Sequence, residues 1–238
     1  MVAQFRMTPD ILSDAVWRQV FSEIEAEVPA MRASIQSVFA ACEAIRGQMD
    51  VKTGSISTAS ATALYALVRH VKPRTVFEIG TFIGKSTLSM AKAMDAAGID
   101  GTIFTCDGSN AFLVPVQETK AKIVGYPKTM STEALRQVAD TGAKIDFMHL
   151  DGRMNDEDME IIAQIADPRV VVAIDDFEAA EKGVINFARM RKHPFFAKHV
   201  LVNPPRTTLC RELDFISTST TAVMAPLTSF AFVAQPFW

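Results

Sequence analysis

Little in this chain suits an extracellular scaffold, a membrane or a nucleic acid. Its three cysteines, Cys42, Cys106 and Cys210, lie far apart and form no CxxC pair. That argues against a disulfide framework and a zinc site, and for a reducing compartment. Basic residues are not in excess, with 24 Lys and Arg against 27 Asp and Glu and a formal net charge of -3. Without a cluster of cations to gather phosphates, no nucleic-acid partner is expected. No apolar run approaches the roughly 20 residues that span a bilayer, so no membrane partner is expected either. The opening residues MVAQFRMTPD lack the basic segment and apolar run of a signal peptide. A soluble cytoplasmic protein is the expectation. What is present is apolar mass: 49% of the 238 residues are hydrophobic and 21% are charged. That supports a sizeable core in one large α/β domain. The sequence shows no internal repeat and no low-complexity tract.

Residues 8–47 read as two amphipathic helices. Trp17, Phe21, Ile24 and Val28 recur at steps of three and four, and after Pro29 the series resumes with Met31, Ile35, Val38, Cys42 and Ile45. The pair either packs on the main domain or forms a substrate lid or homodimer face. Residues 1–49 are thus set apart as a helical extension, and 50–238 as the main domain. The turn-rich stretch 50–60 reads as a surface loop, followed by a helix over 59–70. From there short apolar runs at 75–79, 102–106, 145–150 and 170–174 alternate with helical stretches at 85–97, 111–122, 131–140, 156–166 and 178–191. Continuous β-branched runs between helices imply a parallel sheet covered on both faces. A third strand is expected within 123–130. Residues 199–202 and 229–234 read as an antiparallel pair closing one edge, with an irregular 203–228 between them.

The stretch FEIGTFIGKST, residues 77–87, contains Gly84-Lys85-Ser86. A triphosphate loop needs four residues between its first glycine and the Gly-Lys pair. Here only Thr81, Phe82 and Ile83 intervene, so the loop is one residue short. The dinucleotide pattern fails as well, because Phe82 stands where its second glycine belongs. What remains is Glu-x-Gly-x-x-x-Gly between a strand and a helix. Gly80 permits a sharp turn and Gly84 a close ligand approach. The acid Glu78 disfavours polyphosphate and suits a cationic ligand. S-adenosylmethionine carries a sulfonium and an ammonium, and its carboxylate suits the helix start at Lys85-Ser86.

The other runs also end in acid: Asp107 after GTIFTC, Asp151 after IDFMHL, and Asp175-Asp176 after VVVAI. Parallel sheets bind ligands at the carboxyl ends of their strands. Asp107, one strand-helix-strand unit beyond Glu78, is placed to accept both ribose hydroxyl protons, although CDGSN is also a good turn. Asp151, Asp175 and Asp176 repel one another unless a cation lies between them. An all-oxygen set selects a hard ion, Mg²⁺ first. The alternative is structural: Asp175 is spaced from Glu178 as in a capping box, and Asp151-Gly152 makes a plain turn.

EIGTFIGKST, the acid in TIFTCDGSN, MHLDGR and AIDDF together resemble the class I S-adenosylmethionine-dependent methyltransferases. Within these the chain is most similar to the metal-dependent O-methyltransferases of the catechol and sugar-modifying types, over roughly residues 50–200. The resemblance implies a Rossmann-like α/β sheet of seven mostly parallel strands, the last antiparallel. It implies cofactor contacts from Glu78, Gly80, Thr81, Phe82, Gly84, Ser86, Asp107, Gly108, Ser131 and Asp151, and Mg²⁺ or another hard divalent cation on Asp151, Asp175 and Asp176. Two departures stand out. The catechol type has a lysine three residues after the first metal acid, where this chain has Met154. The sugar type has an acid two residues after it, where this chain has Arg153. The general base is therefore open; His149, on the same strand, is a candidate beside Asp151, and a packed core histidine is the alternative. Asp156 and Asp158 read as the start of the next helix.

The expected activity is methyl transfer from S-adenosylmethionine to a hydroxyl of a small-molecule acceptor, of catechol or vicinal-diol type, as in natural-product biosynthesis. Three rivals stand beside it: a metal-independent methyltransferase acting on nitrogen or carbon, a catalytically silent cofactor-binding scaffold, and a nucleotide triphosphatase.

Overall fold

The computed structural model describes residues 10–49, 54–109, 114–115, 117–178, 181–212 and 219–230. Seven strands form one sheet: β1 (Thr75–Ile79), β2 (Thr102–Asp107), β3 (Lys122–Pro127), β4 (Ile145–Leu150), β5 (Ala166–Ile174), β6 (His199–Val202) and β7 (Ala222–Pro226). Their order is β3-β2-β1-β4-β5-β7-β6. β7 runs antiparallel to both of its neighbours, and the other pairings are parallel. Among the described residues the α-helices are α1 (Asp10–Ser22), α2 (Val28–Arg46), α3 (Thr58–Val71), α4 (Lys85–Ala96), α5 (Ser131–Asp140), α6 (Asp156–Ile165), α7 (Lys182–Met190) and α8 (Thr207–Glu212). This is the Rossmann-like architecture that the alternating runs predict.

The strands are apolar on both faces because both faces are covered. Val76, Ile103, Phe147 and Val171 enter one core cluster, while Phe77, Phe104, Met148 and Val172 enter the other. Neighbouring residues on a strand point to opposite sides. α1 and α2 belong to the first core: Val16, Trp17, Phe21, Met31 and Ile35 pack in it with α3 and the sheet. Trp17 Nε1 donates to the Asn203 carbonyl at 2.7 Å, and Ser13 Oγ accepts from Asn203 N at 3.0 Å. The extension is thus built into the domain.

Several local expectations need correction. The break between the first two helices lies at residues 23–27, and Pro29 sits in the first turn of α2, where its missing N–H is harmless. The described residues of 111–122 form no helix before β3 begins at Lys122. The last strand among the described residues is Ala222–Pro226, inside the stretch expected to be irregular, and it inserts between β5 and β6 instead of closing an edge. Of the expected 229–234 strand, Ser229 and Phe230 are not extended and the rest lies outside the described residues. Among the described residues, no helix is long and apolar enough to cross a membrane. The three cysteines are buried and unbridged.

Candidate active site

The carboxyl ends of the central strands meet at one rim. There β1 runs into a turn at Gly80 with φ of 98°, and Gly84 at φ of 80° caps α4. A Cβ on Gly80 would lie 2.8 Å from the Asp151 carbonyl oxygen. Only glycine accepts both that dihedral and that approach. The turn after β1 and the acid after β4 are therefore in backbone contact.

Glu78 lies beneath this turn. It is 0% exposed, as is His149. Its carboxylate accepts from His149 Nδ1 at 3.0 Å, from Thr105 Oγ1 at 2.6 Å and from Thr87 Oγ1. Burial alone would raise the Glu78 carboxyl. The His149 ring, with Ser86 and Thr105, outweighs burial and holds it below its ordinary value. Burial likewise pushes His149 down, but the Glu78 bond and charge, with Asp151 and Asp175 behind, carry it above its ordinary value. Glu78 therefore organises the turn from below instead of lining its open face. His149, expected as a candidate base, is sealed in the same pair; its Nε2 meets no hydrogen-bond partner among the described residues.

Asp107 ends β2 half-buried and accepts from the backbone N–H groups of Phe82, at 2.7 Å, and Ser109, at 2.8 Å. It thereby pins the glycine turn to the end of β2, and each oxygen keeps a further lone pair for a ligand. Phe82 adopts φ of 47° under this hold. Thr81 is buried and shares a hydrogen bond with Thr105. Ser86 is buried in the first turn of α4, bonded to Glu78. Gly108 faces Met130, whose sulfur would lie 2.6 Å from an added Cβ. Ser131, expected to touch the cofactor, is buried and donates to Asp158 at 2.7 Å. Its hydroxyl serves to join α5 to α6. Asp158 closes a capping box with Asn155, so Asp156 and Asp158 do start a helix.

Asp151, Asp175 and Asp176 come together, each offering a carboxylate oxygen within 4.8 Å of the others. On an octahedral Mg²⁺ neighbouring ligand oxygens stand about 3 Å apart, so this all-oxygen set suits a hard ion in kind and would draw closer around one. Asp175 Oδ1 accepts from Ser60 at 3.2 Å, Thr220 at 3.0 Å and Thr221 at 3.1 Å. Its other oxygen is the one to offer an ion. Asp176 stands at φ of 49°, a strained position for a side-chain-bearing residue. The Asp151 carboxyl is pushed up to about 6, first by burial and then by the charge of Asp175.

Sequence reasoning missed Lys182. Its ammonium lies 2.6 Å from Asp151 Oδ1 and 2.9 Å from Asp176 Oδ2. α7 brings it there by two close fits. A Cβ on Gly183 would lie 2.3 Å from the Asp175 carbonyl oxygen. Asn186 accepts from Met154 N at 3.0 Å and donates to the Gly152 carbonyl at 2.7 Å. The only signal in the sequence was a lysine ahead of a glycine at a helix start. The contribution of α2 was also missed. Lys85 pairs with Glu43 at 2.5 Å and lies over the Phe39 ring, and the Arg46 guanidinium lies 5.3 Å from the centre of the Phe82 ring. An apolar cavity of about 350 Å³ lies between α1, α2 and α3, where Thr58 and Thr62 line it. Ser60 turns some 160° away from them toward Asp175, so α3 stands between that cavity and the acidic cluster.

Residues 77–177 match a family model described as a methyltransferase domain. No curated protein matches the chain. Among solved structures, the O-methyltransferase TomG of Streptomyces achromogenes, involved in tomaymycin synthesis and solved with S-adenosylmethionine, superimposes with a TM-score of 0.54 at 19% identity, over 79% of this chain and 88% of its own. An O-methyltransferase of Bacillus cereus, solved with S-adenosylhomocysteine, gives 0.53 at 15% identity, over 81% and 90%. A methyltransferase of Geobacter sulfurreducens gives 0.52 at 12%, over 79% and 88%. These likenesses establish a shared fold.

Proposed function

We propose that this chain is an S-adenosylmethionine-dependent methyltransferase, a reading supported by the match of residues 77–177 to a methyltransferase-domain model, and that it methylates a small-molecule hydroxyl at the rim where Asp151, Asp175 and Asp176 meet, with a hard divalent cation, Mg²⁺ first, as its second cofactor. One observation carries the reading: the glycine turn touches the backbone of Asp151, and Asp151 lies within 4.8 Å of the other two acids. A methyl donor on that turn and an oxygen acceptor at those acids are thus neighbours.

The residues fit both groups. At the bend a Cβ on Gly80 would meet the Asp151 backbone and one on Gly84 the Val114 side chain, so the two glycines serve close approach of the chain to itself, and a ligand over Gly84 would have to share that side with Val114. Asp107 would hold the ribose hydroxyls, while its bond from the Phe82 N–H fixes the turn. The N-terminus of α4 favours the carboxylate of the methionine moiety, while the Lys85 ammonium there is already paired with Glu43. Asp151, Asp175 and Asp176 would hold the ion, which when bound lowers the acceptor hydroxyl's pKa and offsets the oxyanion's charge. The chain's own task is positional: it holds the acceptor oxygen in line behind the methyl group, at roughly 3 Å. S-adenosylmethionine, when bound, would supply the methyl group to that oxygen and leave as S-adenosylhomocysteine, with the hydroxyl proton passing to solvent. Acceptors with two adjacent oxygens, catechols or vicinal diols, suit this rim, and two of the structural neighbours named above are O-methyltransferases.

The test is methyl transfer from labelled S-adenosylmethionine to a panel of catechols and diols, with Mg²⁺ or with a chelator. Turnover that needs Mg²⁺ is expected. Full turnover under chelation would defeat the metal part, and a preference for amine acceptors would defeat the hydroxyl part.

A further inference from the structure

Resting on the metal reading above, we propose that Lys182 is a tethered counter-ion that a divalent cation must displace, so that metal binding and repositioning of the Lys182 side chain at the start of α7 are one coupled event. The ammonium already bridges Asp151 and Asp176, at 2.6 and 2.9 Å. An ion on the same oxygens would stand about 2.1 Å from each. The ammonium bonds the same carboxylate oxygens that an ion would take, and two cations crowded onto them repel each other. One must leave, and only the lysine is tethered.

The placement is built. Gly183 lets α7 press on the backbone of Asp175 and Asp176, and Asn186 ties the same helix to Gly152 and Met154. The first turn of α7 is thus held against both acid-bearing loops, while the four-carbon stem of Lys182 is free to swing about its own torsions. With the ammonium in place, the cluster of three acids carries less net repulsion. With it displaced, a positive charge stands at the edge of the acceptor space, near an acceptor oxygen that is losing its proton. In this chain Met154 occupies the position of the catechol-type lysine, and Lys182 delivers a cation to the same acid from a different element.

The experiment is calorimetric titration of Mn²⁺ and Mg²⁺ into the wild-type chain and into Lys182→Gln and Lys182→Arg. Thermal melts with and without metal check that each variant folds. Removing the charge is expected to tighten metal binding about tenfold or more, the change that about 1.4 kcal/mol makes. Lys182→Arg, which keeps the charge, is expected to stay as weak as wild type. The metal-free melt of Lys182→Gln should fall, and Mg²⁺ should restore it. Equal affinity in wild type and Lys182→Gln would overturn the displacement while leaving the metal site standing. No binding in any variant would bring down the metal reading itself. Wild type that binds no metal, methylates fully under chelation and gains a metal site only as Lys182→Gln would show the lysine to be a permanent substitute, which also overturns displacement.

Discussion

The Nδ1 of His149 lies 3.0 Å from the Oε1 of Glu78, and neither side chain meets solvent. The pair joins β4 to β1 directly under the glycine turn. Removing one partner strands a buried charge, which costs about 3–5 kcal/mol. Glu78→Gln and His149→Ala should therefore each destabilise the chain by that order in urea denaturation. The pH dependence has two arms. Glu78 is held below its ordinary 4.5, so its contribution is present above 4.5 and is lost as pH falls through its lowered value. His149 is held above its ordinary 6.5, so its contribution is complete below 6.5 and is lost as pH rises through its raised value. The gap between wild type and His149→Ala should be wider at about pH 6 than at about pH 9. An equal gap at both would show that the ring is neutral throughout.

Gly80 combines φ of 98° with contact against the Asp151 carbonyl. Gly80→Ala adds a strained dihedral and a clash with backbone that cannot step aside. A loss of about 2–4 kcal/mol is expected, with cofactor affinity falling alongside it. An alanine variant that melts and binds S-adenosylhomocysteine like wild type would contradict the geometry of the turn.

Asp107→Ala should weaken S-adenosylhomocysteine binding at least tenfold by calorimetry. It loses the ribose acceptors and frees the N–H of Phe82 that now holds the turn. Asp107→Asn keeps an acceptor oxygen, so it should retain more affinity than alanine. Unchanged affinity in a folded Asp107→Ala would refute the ribose role.

Asp151→Asn should trade activity for stability. The native carboxyl is raised to about 6 from 3.8 by burial and by Asp175. An acid raised on folding stabilises below 3.8 and costs stability as pH climbs to 6 and beyond. The neutral amide removes that cost, so the metal-free melt above neutrality should rise, by up to about 3 kcal/mol. Mg²⁺-dependent turnover should vanish in the same variant. A variant that is less stable than wild type at every pH would show the Lys182 contact to be worth more than the burial costs.

The strand ends were readable because two local rules agree there. Runs such as IFTC and VVVAI place buried residues in succession, as strands covered on both faces must, and each is followed at once by an acid, Asp107 and Asp175. The spacing from Gly80 to Gly84 was equally local, and it separated this turn from a triphosphate loop by a single residue. The direction of each side chain was a different matter. Glu78 and Ser131 are polar residues at the right sequence positions, yet the fold points one toward His149 and the other toward Asp158. β7 was hidden because AVMAP carries little strand signal of its own; its extended form comes from pairing on both sides with β5 and β6.

The sequence by itself determined the parallel strands from β1 to β5, the glycine bend and the chemical kind of the rim, since periodicity and turn chemistry act over a few neighbouring residues. Tertiary structure alone decided that Asp151, Asp175 and Asp176 converge, that His149 is sealed under the turn, and that Lys182 comes to rest between two acids. Those outcomes depend on how close α7 and the sheet approach one another, and that distance is set by packing between segments remote in the chain.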